Sequence, residues 1–294
     1  MLANQEVVVI GGDARQLEVI HQLIRAYAKV TLIGYSDLTQ FHHTCTLADW
    51  SEIDPQKFDL VLLPVSGVQR DGAVEAVFHS EPIFFTEEMI RQTKPDCLFM
   101  SGVASVAFQE QMKILNRKLI CLFDRDDLAI YNSIPTVEGT VMMVIQNTDF
   151  TIHQAKIAIL GFGRIGMSLA RTFGLLGARV KVGTRDSSDV ARVFEMGLSG
   201  FLMKDAADQL SNVDVIIQTI PAQILDADLL SAVHPKTLII DLASQPGGTD
   251  FVFAKKRGMK VIHALGLPGI VAPKTAGKML AQVIQTVWEE EKGE

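Results

Sequence analysis

Gly161, Gly163 and Gly166 follow the apolar run Lys156–Leu160 in G-x-G-x-x-G register and open an amphipathic stretch, Ile165–Leu176. Each glycine has a physical task in a turn that meets a pyrophosphate. The first permits the tight turn, the second lets backbone approach the phosphates, and the third brings the following helix against its strand. The N-terminus of that helix adds free N–H donors and a positive dipole end. With 22 glycines in 294 residues, the bare register arises by chance in roughly one such chain in eight. The strand before it and the helix after it carry the inference. Gly161, Phe162, Gly163, Arg164, Ile165 and Gly166 are therefore candidate cofactor-binding residues, the alternative being a tight turn with no ligand.

The adenosine ribose of a bound dinucleotide lies at the end of the next strand, about 20 residues on, where an NAD site usually carries an acid. Here that place reads Thr184-Arg185-Asp186-Ser187-Ser188. A guanidinium with the hydroxyls of Thr184 and Ser187 can bind a 2′-phosphate that a carboxylate would repel, so NADP is favoured over NAD. A one-residue shift would put Asp186 at the ribose instead. The following strands end in Gln218-Thr219-Ile220-Pro221 and Asp241-Leu242-Ala243-Ser244. Thr219, Ile220, Pro221, Leu242, Ala243 and Ser244 are candidates to line the nicotinamide, unless Pro221 merely ends a strand and Ser244 a turn.

Near the start, Val7-Val8-Val9-Ile10-Gly11-Gly12-Asp13-Ala14-Arg15-Gln16 repeats the strand and glycine turn without the third glycine. Asp13 stands where a pyrophosphate would have to approach, and like charge disfavours a second dinucleotide. The turn suits a small anion, with Arg15 as a two-pronged donor and Asp13 and Gln16 beside it. The alternative is an Asp N-cap with a solvated Arg. Ser66, Gly67, Ser101 and Gly102 close two further strands of this half. With Asn132, Ser133 and Thr136 they would form a polar, anion-accepting cleft facing the nicotinamide. The seven histidines show no HxxxH or HExxH spacing, and no metal is assigned.

These residues need parallel sheets to position them. Short Val/Ile/Leu runs alternate with stretches of helical period, the pattern of strands buried on both faces. The first half predicts strands at 7–10, 30–33, 60–63, 98–100 and 119–123, with helices at 17–26, 87–92 and 106–115. The second predicts strands at 156–160, 179–182, 215–218, 238–242 and 260–262. The fold class is α/β, two doubly wound Rossmann-like domains with parallel sheets, separated by a ligand cleft. Pro135 reads as the first turn of a connecting helix that runs to a polar break at Asn147–Asp149. Lys274–Glu291 reads as a last amphipathic helix that returns to the first domain. Residues 1–131 with 275–294 then form a substrate domain, and 132–274 a dinucleotide-binding domain that includes the linker helix.

Composition excludes several classes. The chain has 27 Lys plus Arg against 34 Asp plus Glu, a net charge of −7, and no basic stripe, which argues against a nucleic-acid or membrane-surface binder. Three cysteines without CxxC spacing suggest neither a disulfide framework nor zinc. No uniformly apolar run reaches the ~18 residues of a membrane span and no leader is evident, so a cytoplasmic protein is expected.

Four long runs carry a family resemblance: IGGDARQ at 10–16, DDLAIYNSIPTVEG at 126–139, DLASQPGGTD at 241–250 and GLPGIVAPKTAG at 266–277. Together they resemble the dipicolinate synthase A subunits of spore-forming bacteria, over nearly the whole chain. The resemblance implies an NADP-dependent oxidation of dihydrodipicolinate to pyridine-2,6-dicarboxylate. The substrate would arise from the lysine-pathway intermediate 4-hydroxy-tetrahydrodipicolinate, in the mother cell of a sporulating bacterium. It implies a hetero-oligomer with a second, flavoprotein-like B subunit. Its closing run places Gly266, Leu267 and Pro268 with the cofactor and Lys274 with the substrate. Arg15, Ser66, Ser101, Ser133, Thr136 and Lys274 become carboxylate-binding candidates, and Asn132, Ser133, Thr136 and Glu138 the catalytic set. Glu138 is the nearest thing to a general base, with water as the alternative. The competing class is a module that senses NADP without turnover.

Overall fold

A computed structural model describes residues 2–293 apart from 39 and 42. In chain order its first strands and helices are β1 (Glu6–Ile10), α1 (Ala14–Arg25), β2 (Lys29–Ile33), β3 (Thr46–Leu47), β4 (Leu60–Leu62), β5 (Ala73–Val74), β6 (Ile83–Phe84), α2 (Glu87–Gln92), β7 (Leu98–Ser101), α3 (Val106–Ile114), β8 (Lys118–Cys121) and α4 (Asp126–Asn147). There follow β9 (Lys156–Leu160), α5 (Arg164–Leu175), β10 (Arg179–Thr184), α6 (Ser187–Glu195), β11 (Ser199–Leu202), α7 (Ala206–Leu210), β12 (Val215–Gln218), α8 (Ala227–Ala232), β13 (Leu238–Asp241), α9 (Phe251–Lys256), β14 (Val261–His263), α10 (Leu267–Val271) and α11 (Pro273–Lys292). The chain divides into two compact units, Met1–Asn132 with Ala272–Glu294, and Ser133–Val271.

In the first unit six parallel strands run in the order β3-β2-β1-β4-β7-β8. Alternate residues of β1 face opposite layers, as the two-residue period of a strand requires. Val7 and Val9 pack with Val19, Ile20 and Leu23 of α1 and with Leu280, Ile284 and Trp288 of α11. Val8 and Ile10 pack with Ile90 of α2 and Phe108 and Met112 of α3. The last helix of the chain thus completes the core of the first unit. It approaches α1 so closely that a Cβ on Gly277 would collide with the Arg15 carbonyl.

The second unit repeats the plan, β11-β10-β9-β12-β13-β14, all parallel. Ile157 and Ile159 face Leu169 and Phe173 of α5, while Ala158 and Leu160 face Leu210, Leu230 and Ala254 of α7, α8 and α9. In each unit the strand order reverses between two central strands, β1/β4 and β9/β12. A doubly wound sheet binds its ligand beyond the carboxyl ends at such a reversal. The architecture is therefore α/β with two doubly wound parallel sheets.

Several elements differ from the sequence reading. α4 begins at Asp126, nine residues before Pro135, and that proline lies inside the helix. The ring removes the N–H that would meet the Tyr131 carbonyl, and the helix continues past it. Asn132 and Ser133, which precede Pro135, accordingly lie on the same helix as Thr136. By length and composition α4 could cross a membrane, contrary to the sequence expectation, but its Val137 and Val144 are buried in the core of the second unit. Two short edge strands, β3 and β11, and the antiparallel pair β5–β6 carry too little periodicity to be read from sequence.

Candidate functional site

The two glycine turns, alike in topology, are finished in opposite ways. In the first unit Asp13 caps α1 by accepting the Arg15 N–H at 2.9 Å, and its carboxylate is gripped by the Arg15 side chain. Nε lies 3.1 Å from Oδ1 and 3.0 Å from Oδ2, and Nη2 lies 2.6 Å from Oδ2. The Gly12 N–H donates to the Glu75 carbonyl at 2.6 Å, the Tyr35 hydroxyl donates to the Gly11 carbonyl at 2.5 Å, and Ala76 makes a parallel bridge to Gly12. Burial, with Asp13 nearby, raises the Tyr35 pKa far above its ordinary value. The Gly11, Gly12 and Arg15 N–H groups and the Arg15 guanidinium thus meet acceptors of the protein's own chain. The Gln16 carboxamide oxygen is buried there without a hydrogen-bond partner.

Arg15, expected from sequence as a two-pronged carboxylate donor beside Asp13 and Gln16, is here paired with the Asp13 carboxylate. The strand ends beside it are also self-satisfied. The Ser101 hydroxyl donates to the Val103 carbonyl at 2.8 Å, with the Pro64 carbonyl 3.2 Å away, and Ser66 donates to Glu75 Oε2 at 2.7 Å. The Gly67 and Gly102 N–H groups both meet the Pro64 carbonyl, at 3.0 and 3.3 Å. Neither glycine tolerates a Cβ, because Val103 and Val65 backbone press on them. Of the polar edge read from sequence, these four residues hold the loops to each other. Lys274 stands exposed in the first turn of α11.

In the second unit the turn is open. Gly161 has φ +101°, and a Cβ there would strike the Thr219 hydroxyl; a Cβ on Gly166 would strike the Gly161 carbonyl. Both glycines are required by the protein's own packing. Gly163 is not, since a Cβ built on it meets nothing within 4 Å. It is also the N-cap of α5, and no side chain caps that helix. Open space in front of an uncapped helix N-terminus suits an approaching anion, and this is the observation by which the residues present fit a dinucleotide.

The carboxyl ends of the strands beside this turn line up in register: Gln218 pairs with Leu160 and Asp241, and Asp241 with His263. Sequence reading placed the runs after Gln218 and Asp241 at the nicotinamide but missed what these two side chains do. Both are fully buried and organise the loops. Gln218 Nε2 donates to the Ile220 carbonyl at 3.2 Å, and its Oε1 accepts the Ile220 N–H at 3.1 Å. Asp241 accepts from the Ala243 N–H (3.0 Å), the Gly248 N–H (2.8 Å) and the Thr249 hydroxyl (2.7 Å). His263 Nε2 lies 2.8 Å from the Ala243 carbonyl, with the ring against Phe251. A polar residue at the last position of an otherwise apolar strand is the sequence signal for such anchors.

The remaining candidates divide the same way. Thr219 donates to the Leu160 carbonyl at 2.8 Å and braces the turn, while Pro221 and Ser244 are exposed beside it, Leu242 is half-buried and Ala243 buried. Phe162 is buried in the core, Ile165 packs against it, and Arg164 is exposed. Gly266 is exposed with φ +67°, whereas Leu267 and Pro268 are buried, Leu267 against Gly139 of α4. Leu267 and Pro268, expected from sequence beside the cofactor, thus have their side chains packed within the second unit. Ser133 lies 3.3 Å from Ser168, Thr136 is buried and Glu138 is exposed, all on α4. At the end of β10, the Thr184 hydroxyl donates to Asp189 Oδ2 at 2.9 Å, and the Arg185 side chain is 91% exposed, 3.8 Å from Asp186. Among the described residues no cluster of His, Cys, Asp or Glu could hold a metal ion.

Comparison with known proteins assigns this architecture. Residues 6–123 match the family model described as the N-terminal domain of the dipicolinate synthase A subunit. The chain is 46% identical, over all of its length and 99% of the relative, to the dipicolinate synthase A subunit of Bacillus subtilis (strain 168). The chain belongs to the dipicolinate synthase A-subunit family. The crystal structure of the family member from Bacillus halodurans superposes with a TM-score of 0.94 at 50% identity, covering 98% of each chain. A transhydrogenase from Sinorhizobium meliloti shares the fold, with a TM-score of 0.69 at 14% identity over 97% of this chain and 94% of that one. Residues 156–245, which hold the open glycine turn, match the model described as NADP oxidoreductase, coenzyme F420-dependent. The second unit of this family member is thus a Rossmann-like domain of the kind found in pyridine-nucleotide oxidoreductases.

Proposed function

We propose that this chain is an NADP-dependent oxidoreductase that converts dihydrodipicolinate, formed from 4-hydroxy-tetrahydrodipicolinate, to pyridine-2,6-dicarboxylate. It would act with a B subunit in a hetero-oligomer, in the mother-cell cytoplasm of a sporulating bacterium. Family membership supports the substrate and the partner. The observation that carries the cofactor is the open space at Gly163 before the uncapped α5.

Gly163 and the first turn of α5 would hold the pyrophosphate, the Thr219–Pro221 and Leu242–Ser244 loops the nicotinamide end, and Arg185 with Ser187 the 2′-phosphate. When bound, NADP supplies the hydride acceptor. Gln218 and Asp241 keep the two loops in one shape, which fixes where a substrate ring can stand. The substrate is a small dianion, and Lys274, Asn132, Ser133 and Thr136 remain its candidate partners. Glu138, exposed on α4, shares with solvent the task of taking the proton released on aromatisation.

The test is to mix the full chain, alone and co-purified with its B subunit, with NADP and freshly generated dihydrodipicolinate. Reduced cofactor and the aromatic product should appear together in equal amounts. Nucleotide binding without turnover in either preparation would leave the sensing module as the reading. Arg185→Ala should weaken NADP binding roughly 10- to 150-fold, since a hydrogen bond to a charged group contributes ~1.5–3 kcal/mol. NAD binding should be barely affected, and a wild-type preference for NAD would defeat the assignment of NADP.

A further inference from the structure

Thr184 ends β10 with its side chain buried, and its hydroxyl donates to Asp189 Oδ2 at 2.9 Å. Asp189 stands in the first turn of α6, and Asp186, the N-cap of that helix, makes no side-chain capping bond. In this fold the strand end is where the adenosine ribose is read. A hydroxyl has one proton to give. Because the Thr184 proton is given to Asp189, its oxygen can only accept there, and a ribose hydroxyl can donate to it while a phosphate cannot. The Asp189 carboxylate, one hydrogen bond away, also repels any phosphate placed against Thr184. Of the donors that sequence assigned to a 2′-phosphate, Thr184 is thereby removed, and Arg185, with its side chain in solvent, and Ser187 are left.

We infer that Asp189 is a specificity-determining residue. By holding the Thr184 hydroxyl and keeping a carboxylate beside the strand end, it narrows the preference for a cofactor that carries a 2′-phosphate. The inference rests on the proposed dinucleotide site in the second unit. It assigns to one side chain of the first turn of α6 a role opposed to that of Arg185, so that the ratio of the two cofactor affinities reports a balance between them.

The experiment is calorimetric titration of the full chain with NADP and with NAD, for the wild type, Asp189→Asn and Asp189→Ala. The asparagine keeps a carboxamide oxygen for the Thr184 hydroxyl and removes only the charge; the alanine also frees the hydroxyl. Both variants should bind NADP about 3- to 30-fold more tightly relative to NAD, the effect of removing one unit charge several ångströms from a phosphate in solvent-exposed surroundings. The alanine shift should be at least as large as the asparagine shift. An unchanged ratio in the asparagine variant, or one moved toward NAD, overturns the role of Asp189 while leaving the dinucleotide site standing. If the wild type binds neither nucleotide, the dinucleotide reading fails, and the inference fails with it.

Discussion

The backbone N–H of Gly12 donates to the carbonyl oxygen of Glu75 over 2.6 Å. The segment that carries Glu75 lies between β4 and β7, where the doubly wound plan needs only a crossover. Its short antiparallel pair β5–β6 brings residues 75–77 onto the turn after β1. A Cβ on Gly11 would meet the same Glu75 carbonyl. The Glu75 backbone closes the two glycines of the first unit, and Asp13, the N-cap of α1 as Gly163 is of α5, carries a side chain held by Arg15 where the second unit leaves open space.

One dinucleotide per chain follows. Calorimetric titration with NADP should give a stoichiometry of one, with no second, weaker phase. Two sites per chain would mean that the Glu75 segment is displaced by ligand.

Gly163→Val should abolish nucleotide binding and leave the fold intact. Its backbone, φ −82° and ψ −162°, lies in the extended region open to any residue, and its Cβ meets nothing. Gly166→Val should fail differently, by misfolding, because the added Cβ runs into the Gly161 carbonyl. Circular dichroism and NADP titration on both variants separate the two outcomes, and a folded Gly163 variant with unchanged affinity would make the turn purely structural.

The strands are legible in the sequence because burial on both faces leaves short runs made almost wholly of Val, Ile, Leu and Ala. Lys156–Leu160 and Val215–Gln218 agree to the residue for that reason. Strands of two residues have no period to read, so the β5–β6 segment, and with it the closing of the first glycine turn, stayed hidden. Pro135 was misplaced because a proline in a helical pattern reads as a start, and only the packing of α4 shows that it lies inside. At the site, glycine spacing marked the open turn, whereas the partners of Arg15, Ser101 and Thr184 depend on where side chains fold back. Composition does not record that.

Arg15→Ala should destabilise the protein more than it harms catalysis. Arg15 and Asp13 keep only 11% and 19% of their side-chain surface exposed, so removing the guanidinium leaves a largely buried carboxylate with only the Arg15 position's backbone N–H to meet. The loss is about 1–3 kcal/mol, below that of a fully buried pair because the cap survives. The denaturation midpoint should fall and KM for the substrate should move little. A raised KM at unchanged stability would restore Arg15 to the substrate.

Asp241→Asn tests whether the loop after β13 is held from within. The asparagine has the same size, but one of its two terminal atoms is an NH2 group. Oδ1 of the native aspartate accepts the Ala243 N–H, and Oδ2 accepts both the Gly248 N–H and the Thr249 hydroxyl. With the amide nitrogen at the first position, the Ala243 N–H faces a donor. With it at the second, the Thr249 hydroxyl can turn to accept, but the Gly248 N–H cannot. Either way one buried backbone N–H is unmet, at a cost of about 1–3 kcal/mol. The thermal midpoint should therefore drop. Because the loosened residues 242–249 lie on the nicotinamide side of the proposed site, NADP and NAD should lose affinity by the same factor, and their ratio should stay fixed. A variant that kept its midpoint and both affinities would show that the loop is set by other contacts. One that changed the ratio would show that Asp241 acts on the adenosine end, against the register that places it beside His263.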